Sequence, residues 1–308
     1  MINSNTTFKN IIQWTINSLK FLLALIIFVI SSTINTFAID LNIPKTDSEW
    51  DKAVMSLNWT EGPKKMKFVD ANSTVKFDDN FVILENKDAN QYLYWANGIQ
   101  FPDIKLYGVS RDNGSQYMFS YVDSGYVKTD DWIKVDPNKF IKELRKNYKE
   151  SNIERKNNGM PTILDVQWKK TPYLDENYSS VYYALEISWS DNRRSTQGTA
   201  ILLGREGYTE ANYIAGDSGY QERMLTSLSV IHKFNSTKEY KDWKAGDKVA
   251  AAGIGALLAS TLGLKALKPG LVASGLLLLK KFWFILLLPF IWIGKLFTKS
   301  EKKSKRRK

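Results

Sequence analysis

From Val249 to Phe297 the chain carries two apolar runs, Val249 to Leu264 and Phe282 to Phe297, and the basic tail KSEKKSKRRK closes it. This feature constrains the fold most, because it separates a part that folds in water from a part that a bilayer can hold. Each run has 16 residues, roughly 24 Å as a helix at ~1.5 Å per residue and short of a ~30 Å hydrocarbon core. One long span from Leu271 to Gly294 would bury Lys280 and Lys281, at about 2.5 to 3.5 kcal/mol each near the helix centre. The second run is the more hydrophobic, with Trp283 and Trp292 towards its ends and Pro289 inside it. We expect residues 282–297 to cross the membrane. In the first run Ala251, Gly255, Ala259 and Gly263 recur at i+4 spacing, the kind of stripe that lets helices approach closely in lipid. We expect residues 249–264 to form a membrane-associated or spanning helix that packs through this stripe. The tail, residues 298–308, belongs in the cytoplasm by the positive-inside rule. The alternative is a hairpin of both runs with the tail outside.

At the other end Lys9 and Lys20 precede an unbroken apolar run from Phe21 to Ile30, and Thr36-Phe37-Ala38 forms a small-x-small cleavage site. Residues 1–38 therefore read as a secretory signal peptide, or as an uncleaved signal anchor. Either one exports the chain beyond Ala38. Residues 39–245 are then an extracytoplasmic domain held at a membrane.

The formal charge of +11 invites a nucleic-acid reading, but its distribution opposes it. Twelve Lys and Arg from Lys265 to Lys308, set against Glu301 alone, account for the whole excess. A nucleic-acid-binding fold carries its basic stripe on the folded part, whereas here the charge flanks apolar runs. The expected partners are the lipid bilayer and a membrane or envelope protein, with homo-oligomers open and no nucleic acid.

Within 39–245 the hydrophobic period separates helices from strands. WDKAVMSLNWTEGPKKMKF reads as a short helix entering a turn at Gly62-Pro63. Val75, Phe77, Phe81 and Ile83 alternate, and QYMFSYV (116–122) is an aromatic strand. Pro137 to Asn157 is a helix, with Asp136 at the N-cap and Phe140, Ile141, Leu144 and Tyr148 on one face. After a soft boundary at Asn157-Asn158-Gly159 the period becomes two. ILDVQW, VYYALEISW, TAILLG and YTEANYIA, separated by Pro172, Asp191-Asn192 and Gly207, form an antiparallel meander. A last amphipathic helix falls within Tyr220 to Phe234. The expected class is α+β, an antiparallel sheet packed with helices, plus C-terminal membrane helices.

The chemistry is sparse. With no Cys and a single His, His232, the chain has no thiol nucleophile and no multi-histidine metal site. His232 lies in SLSVIHKF beside the predicted core face, without a nucleophile elbow. GIGALLASTLG lacks the Lys-Ser/Thr of a phosphate loop. No cofactor and no metal is expected. Carboxylates remain: DSGYVKTDDW places Asp123, Asp130 and Asp131 close together, with Asp136 beyond. Calcium-loop spacing is not met. Local roles fit each acid: Asp123-Ser124-Gly125 as a turn, Asp136 as a helix cap, Asp130 and Asp131 as solvated loop residues. Glu154-Arg155 reads as a surface pair.

GYVKTDD, NIERKNNGMP, ILLGREGYTEANYIA and YKDWKAGDKVAAAGIGALLASTLGLKALKPGL, with Trp59 and Gly62-Pro63 ahead of them, resemble the DUF2167 family of uncharacterised bacterial membrane-anchored proteins. The resemblance spans roughly residues 50 to 285, with Ala252 where an aromatic would stand. It implies a signal-led extracytoplasmic domain with C-terminal anchoring. It supplies no catalytic residues, because the family has no established activity. The expected role is a membrane-anchored binding or scaffolding protein with a candidate surface at Asp123, Tyr126, Lys128, Asp130, Asp131 and Arg205. The alternative is an envelope hydrolase whose paired carboxylates, about 5 to 9.5 Å apart, act on glycans.

Overall fold

The computed structural model describes residues 42–97, 104–157, 161–216 and 219–264. The expected signal segment, residues 1–38, the 282–297 run and the basic tail lie outside these residues. Five α-helices and two antiparallel sheets are present among the described residues.

Helix α1 (Asp47–Met55) begins with a capping box. The Glu49 N–H donates to Thr46 Oγ1 at 3.2 Å and the Thr46 N–H donates to Glu49 Oε2 at 3.2 Å, so two groups the helix leaves unpaired satisfy each other. Strands β1 (Thr60–Glu61) and β2 (Lys64–Phe68) flank the predicted turn. A Cβ at Gly62 would lie 1.7 Å from the Asp78 carbonyl oxygen, so this approach of two backbones requires glycine. Strands β3 (Ser73–Phe77) and β4 (Phe81–Glu85) come next, then helix α2 (Asn86–Asn97), β5 (Leu106–Ser110) and β6 (Gln116–Val122). Helix α3 (Pro137–Asn157) starts where Asp136 Oδ1 accepts the N–H groups of Asn138 and Lys139 at 3.0 and 3.1 Å.

The meander is β7 (Ile163–Asp175), β8 (Ser180–Trp189), β9 (Arg194–Leu203) and β10 (Tyr208–Gly216). Pro172 does not end a strand as its turn signal suggested. It sits inside β7, the edge strand, within the register shift between Lys170 and Tyr173, where a missing N–H breaks no ladder. Helix α4 (Glu222–Ile231) falls within the expected Tyr220 to Phe234, and His232–Phe234 leave it as strand β11 and pair with β3.

The large sheet runs β1-β4-β5-β6-β10-β9-β8-β7, with every pairing antiparallel. Its middle pair, β6 with β10, joins strands from either side of Asn157-Asn158-Gly159 over seven residues. That stretch is therefore a connection within one folded unit. The second sheet, β11-β3-β2, and α4 cover one face, burying Val75, Phe77, Phe119, Tyr213 and Leu228. On the other face α1 and α2 pack over Leu84, Tyr107, Met118 and Ile214, and α3 packs over Val181, Tyr183, Leu185 and Ile201.

Residues 249–264 depart from the expected membrane helix. Only Ile254–Thr261 is helical (α5), and Ile254, Leu257, Leu258 and Ala259 are buried in the same core cluster as α3 and the meander. The small-residue stripe is not one helical face. Ala251 is exposed before the helix, and Gly263 lies beyond it with φ +68°. The run is apolar on all sides because it is enclosed by protein, which hydropathy alone cannot tell from enclosure by lipid. No helix among the described residues is long and apolar enough to cross a membrane.

Candidate functional site

The sequence-selected residues gather at one end of the large sheet. Asp123 to Asp131 come directly after β6, and Arg205 lies in the β9–β10 turn. Across them runs a strap, residues 235–253, which the backbone holds at several points. The Arg205 N–H donates to Lys238 O at 3.0 Å and the Tyr126 N–H to Lys248 O at 2.8 Å, while the Gly125 N–H joins the two loops beneath the strap by donating to Glu206 O at 2.9 Å. Ala250 and Ile254 then donate to the carbonyls of Tyr126 and Lys128, each at 2.9 Å. Gly125 has φ +86°, and a Cβ there would sit 2.7 Å from Lys248 O. The glycine in DSGY thus permits the strap's approach.

Side chains tighten the same junction. Arg205 Nε and Nη2 donate to Asp247 Oδ2 and Oδ1 at 2.7 and 2.8 Å, the paired geometry in which a guanidinium matches a carboxylate. Arg205 Nη1 reaches Thr237 O at 3.2 Å. The Arg205 hydrogen bonds, helped by the Lys244 N–H, hold the Asp247 carboxyl down to about 2. The Tyr126 ring stacks on Tyr240 with centroids 4.4 Å apart and planes 16° apart, and meets Trp243 at 5.2 Å. Tyr240 OH donates to Val127 O at 2.8 Å. At the rim Lys248 Nζ donates to Asp123 Oδ1 at 3.0 Å, where both side chains are exposed.

The two neighbouring acids diverge. Asp130 and Lys128 face solvent. Asp131, expected in solvent, turns inward, and its Oδ1 accepts the Gly255 N–H at 3.1 Å at the start of α5. A Cβ at Gly253 would lie 2.6 Å from that oxygen, so the glycines of GIGALLAST make room for a carboxylate at a helix N-terminus. Of the two acids, Asp131 is thus committed to a backbone amide and Asp130 is left to solvent.

Sequence reasoning missed the strap's own contributors, Tyr240, Trp243, Asp247 and Lys248. Their signal was the run YKDWKAGDK, whose acids and aromatics match the basic and aromatic residues of the two loops. It also missed a buried polar seam in the large sheet. Glu210 is 3% exposed, its Oε1 accepts from Asn212 Nδ2 at 3.1 Å, and its Oε2 has no hydrogen-bond partner among the described residues. Thr199 Oγ1 donates to Asn212 Oδ1 at 2.8 Å. Burial pushes the Glu210 carboxyl up to about 7. The signal lay in YTEANYIA, where Glu and Asn share the phase of the inward Tyr208 and Ile214.

His232 is buried on the opposite face with Nε2 3.1 Å from Thr209 Oγ1, and burial pushes it down to about 3. Arg155 is no surface residue. It is 3% exposed, with Nε donating to Pro161 O at 2.7 Å and the guanidinium 4.9 Å from the Trp189 ring centroid. Among the described residues no group of three or more His, Asp or Glu is arranged to hold a metal ion.

The fold and its site define an α+β domain whose C-terminal strap is locked to the end of an antiparallel sheet by residues from two loops. The family model for a protein of unknown function, DUF2167, matches residues 60–291, and the chain belongs to that family. No curated protein sequence matches it. Among solved structures, cyanobacterial PsbP (CyanoP) from Synechocystis sp. PCC 6803 is similar at 10% identity, covering 56% of this chain and 92% of its own, with a TM-score of 0.32. LpqN, described as involved in cell envelope biogenesis of Mycobacterium tuberculosis, is similar at 11% identity, covering 64% and 98%, with a TM-score of 0.25. Likenesses this distant carry no argument about what the chain does.

Proposed function

We propose that the chain is a membrane-anchored extracytoplasmic binding or scaffolding module. Its recognition surface is the strap end of the sheet, and its anchor is the 282–297 run beyond the described residues. One observation carries this reading. Residues in the motifs that carry the family resemblance hold the strap, and with it the chain that leads to the apolar run, against the sheet. Arg205 with Asp247, Tyr126 with Tyr240, and Asp131 with Gly255 all serve that purpose. What the junction leaves for a partner is a rim of exposed Trp243, Lys128 and Asp130 beside the Asp123–Lys248 pair. An exposed aromatic among charges of both signs suits a protein surface better than a small molecule.

The test is crosslinking in native membranes from a photoreactive residue at Lys128, in the wild-type background and with Trp243→Ala or Asp130→Asn. A discrete adduct that weakens at least about tenfold in the variants, with thermal unfolding unchanged, supports the reading. Equal adducts in all three chains would remove this rim as the recognition surface. Protease accessibility of a C-terminal tag in intact cells tests the topology separately, and a tag cleaved from outside contradicts the single crossing.

A further inference from the structure

Helix α3 buries Phe140, Ile141, Leu144 and Tyr148 against the sheet, and its opposite side is a ridge of cations. At roughly 100° per residue, Lys139, Lys142, Arg145, Lys146, Lys149 and Lys156 fall within about 60° of one line along the helix. Ile153 lies on the same line and is 68% exposed. The acids Glu143 and Glu150 fall at the margin. Arg145 pairs with Asp165 at 3.1 Å, but none of the five lysines is in an ion pair with a described residue. A shallow groove of about 320 Å³ runs along Lys142, Glu143, Arg145, Lys146 and Lys149. A helix that needed only solvation would alternate Lys with Glu along this line, because like charges three and four residues apart repel. Along this line the helix places cations alone, with Glu143 and Glu150 to one side.

Position gives the ridge a partner. Asn147 Nδ2, on the flank of the same helix, donates to Gly263 O at 3.2 Å. The chain therefore leaves the described residues, at Leu264, against α3. The next cations in the sequence are Lys265 and Lys268, with the apolar run 282–297 beyond them. We propose that the α3 ridge rests on the anionic phospholipid surface of the membrane that anchors the chain, with Ile153 at headgroup depth. This rests on the anchoring reading given above. Lysines near an anionic leaflet each add to attraction, and an apolar side chain among them gains from the interface. A ridge on the helix that also holds the departing chain would fix how the strap end faces its partners.

The chain has no Cys, so Ile153→Cys supplies a unique site for a spin label, and Tyr178→Cys, at another exposed position, supplies a control. Full-length protein is placed in nanodiscs of phosphatidylcholine, with and without phosphatidylglycerol. The expected result is that the label at 153 loses at least about tenfold of its accessibility to a water-soluble relaxant only when phosphatidylglycerol is present, while the label at 178 does not change. High salt should restore access, and so should Lys142→Glu/Lys146→Glu/Lys149→Glu; the milder Lys→Gln triple should do so in part and guards against a folding defect. Equal accessibility at 153 in both lipids, with the protein retained in the discs, overturns the ridge while leaving the anchor intact. Protein washed out of both discs overturns the anchor. The same label then decides the ridge on phosphatidylglycerol vesicles: shielding that the triple variants abolish keeps it, and none discards it. Shielding in native membranes but never on phosphatidylglycerol also overturns the proposal, in favour of an acidic protein or polymer.

Discussion

The two faces of the large sheet solve the problem of a buried ionisable group in opposite ways. The face under α4 and the small sheet is a layer of rings: Phe77 lies 5.2 Å from Phe81 and 6.0 Å from Phe119, and Tyr117 lies 5.1 Å from both Phe81 and Tyr213. Into this layer the chain places His232, edge-on to Phe68 and Phe234. The helix-covered face carries the Gln197, Thr199, Glu210 and Asn212 seam between its two apolar clusters. Burial disfavours the charged form in both places. For an imidazole that means losing its proton, and for a carboxyl it means keeping it. The same physical cause therefore gives the two faces stabilities of opposite pH dependence.

The largest expected effect belongs to the ring face. His232 titrates near 3 when folded against 6.5 ordinarily, so the unfolded chain takes up the proton first. Stability from this site is complete above about 6.5 and is lost as pH falls towards 3, by up to about 5 kcal/mol at ~1.4 kcal/mol per pH unit. His232→Gln can still hydrogen-bond Thr209 and cannot charge. Denaturant unfolding measured from pH 7 to pH 3 should show the wild type losing stability where the variant does not. Parallel curves would mean that water reaches the ring face.

The seam comes next and has the reverse sign. Glu210 titrates near 7 when folded against 4.5 ordinarily, so the folded state keeps its proton longer. Its contribution is complete below about 4.5 and is lost as pH rises through 7, by up to about 3 kcal/mol. Glu210→Gln should be more stable than wild type at pH 8 and no better at pH 4. Between about 4.5 and 6.5 the two slopes oppose each other, so the wild type should be nearly flat there. Each single variant should expose the other site's slope, and the double variant should be flat again. A wild type that changes steeply in that window would break the comparison.

Why one face was easier to anticipate than the other can be traced to its residues. The meander strands, β6 and the Pro137 to Asn157 helix carry clean periods, a cap at Asp136 and turn residues between them, and all are present. Helix α2 and strand β5 were missed. Asn86 to Asn97 carries four Asn and Gln, which blur its period, and its burial depends on Asn90, whose amide bonds both backbone groups of Ile104. Such a contact between distant residues leaves no local pattern. The eight-residue α5 was read as part of a membrane segment because enclosure by a sheet and by lipid select the same side chains. At the strap, the loops were legible as motifs, but not that they grip residues 237 to 250. Asp131 looked solvated because its partner amide lies 124 residues away.

The smallest expected effect tests whether the seam stays dry because α5 stays in place. Asp131 supplies that short helix with an acceptor for the Gly255 N–H and a negative charge at its positive end. Asp131→Ala should cost about 1 kcal/mol, and Asp131→Asn, which keeps an acceptor oxygen, should recover most of it. The loss should be local. Amide exchange within Ile254 to Thr261 should quicken about fivefold in the alanine variant, while the amides of β8 to β10 keep their protection. Tyr183 OH bonds Thr261 Oγ1 at 3.3 Å, joining the end of α5 to the seam face of the sheet. A loosened α5 would therefore admit water to the seam, and the pH dependence assigned to Glu210 should shrink in the same variant. Faster exchange in α5 with an unchanged Glu210 slope would show that the carboxyl is sealed by α3 and the sheet alone, and that the helix-covered face is two independent layers.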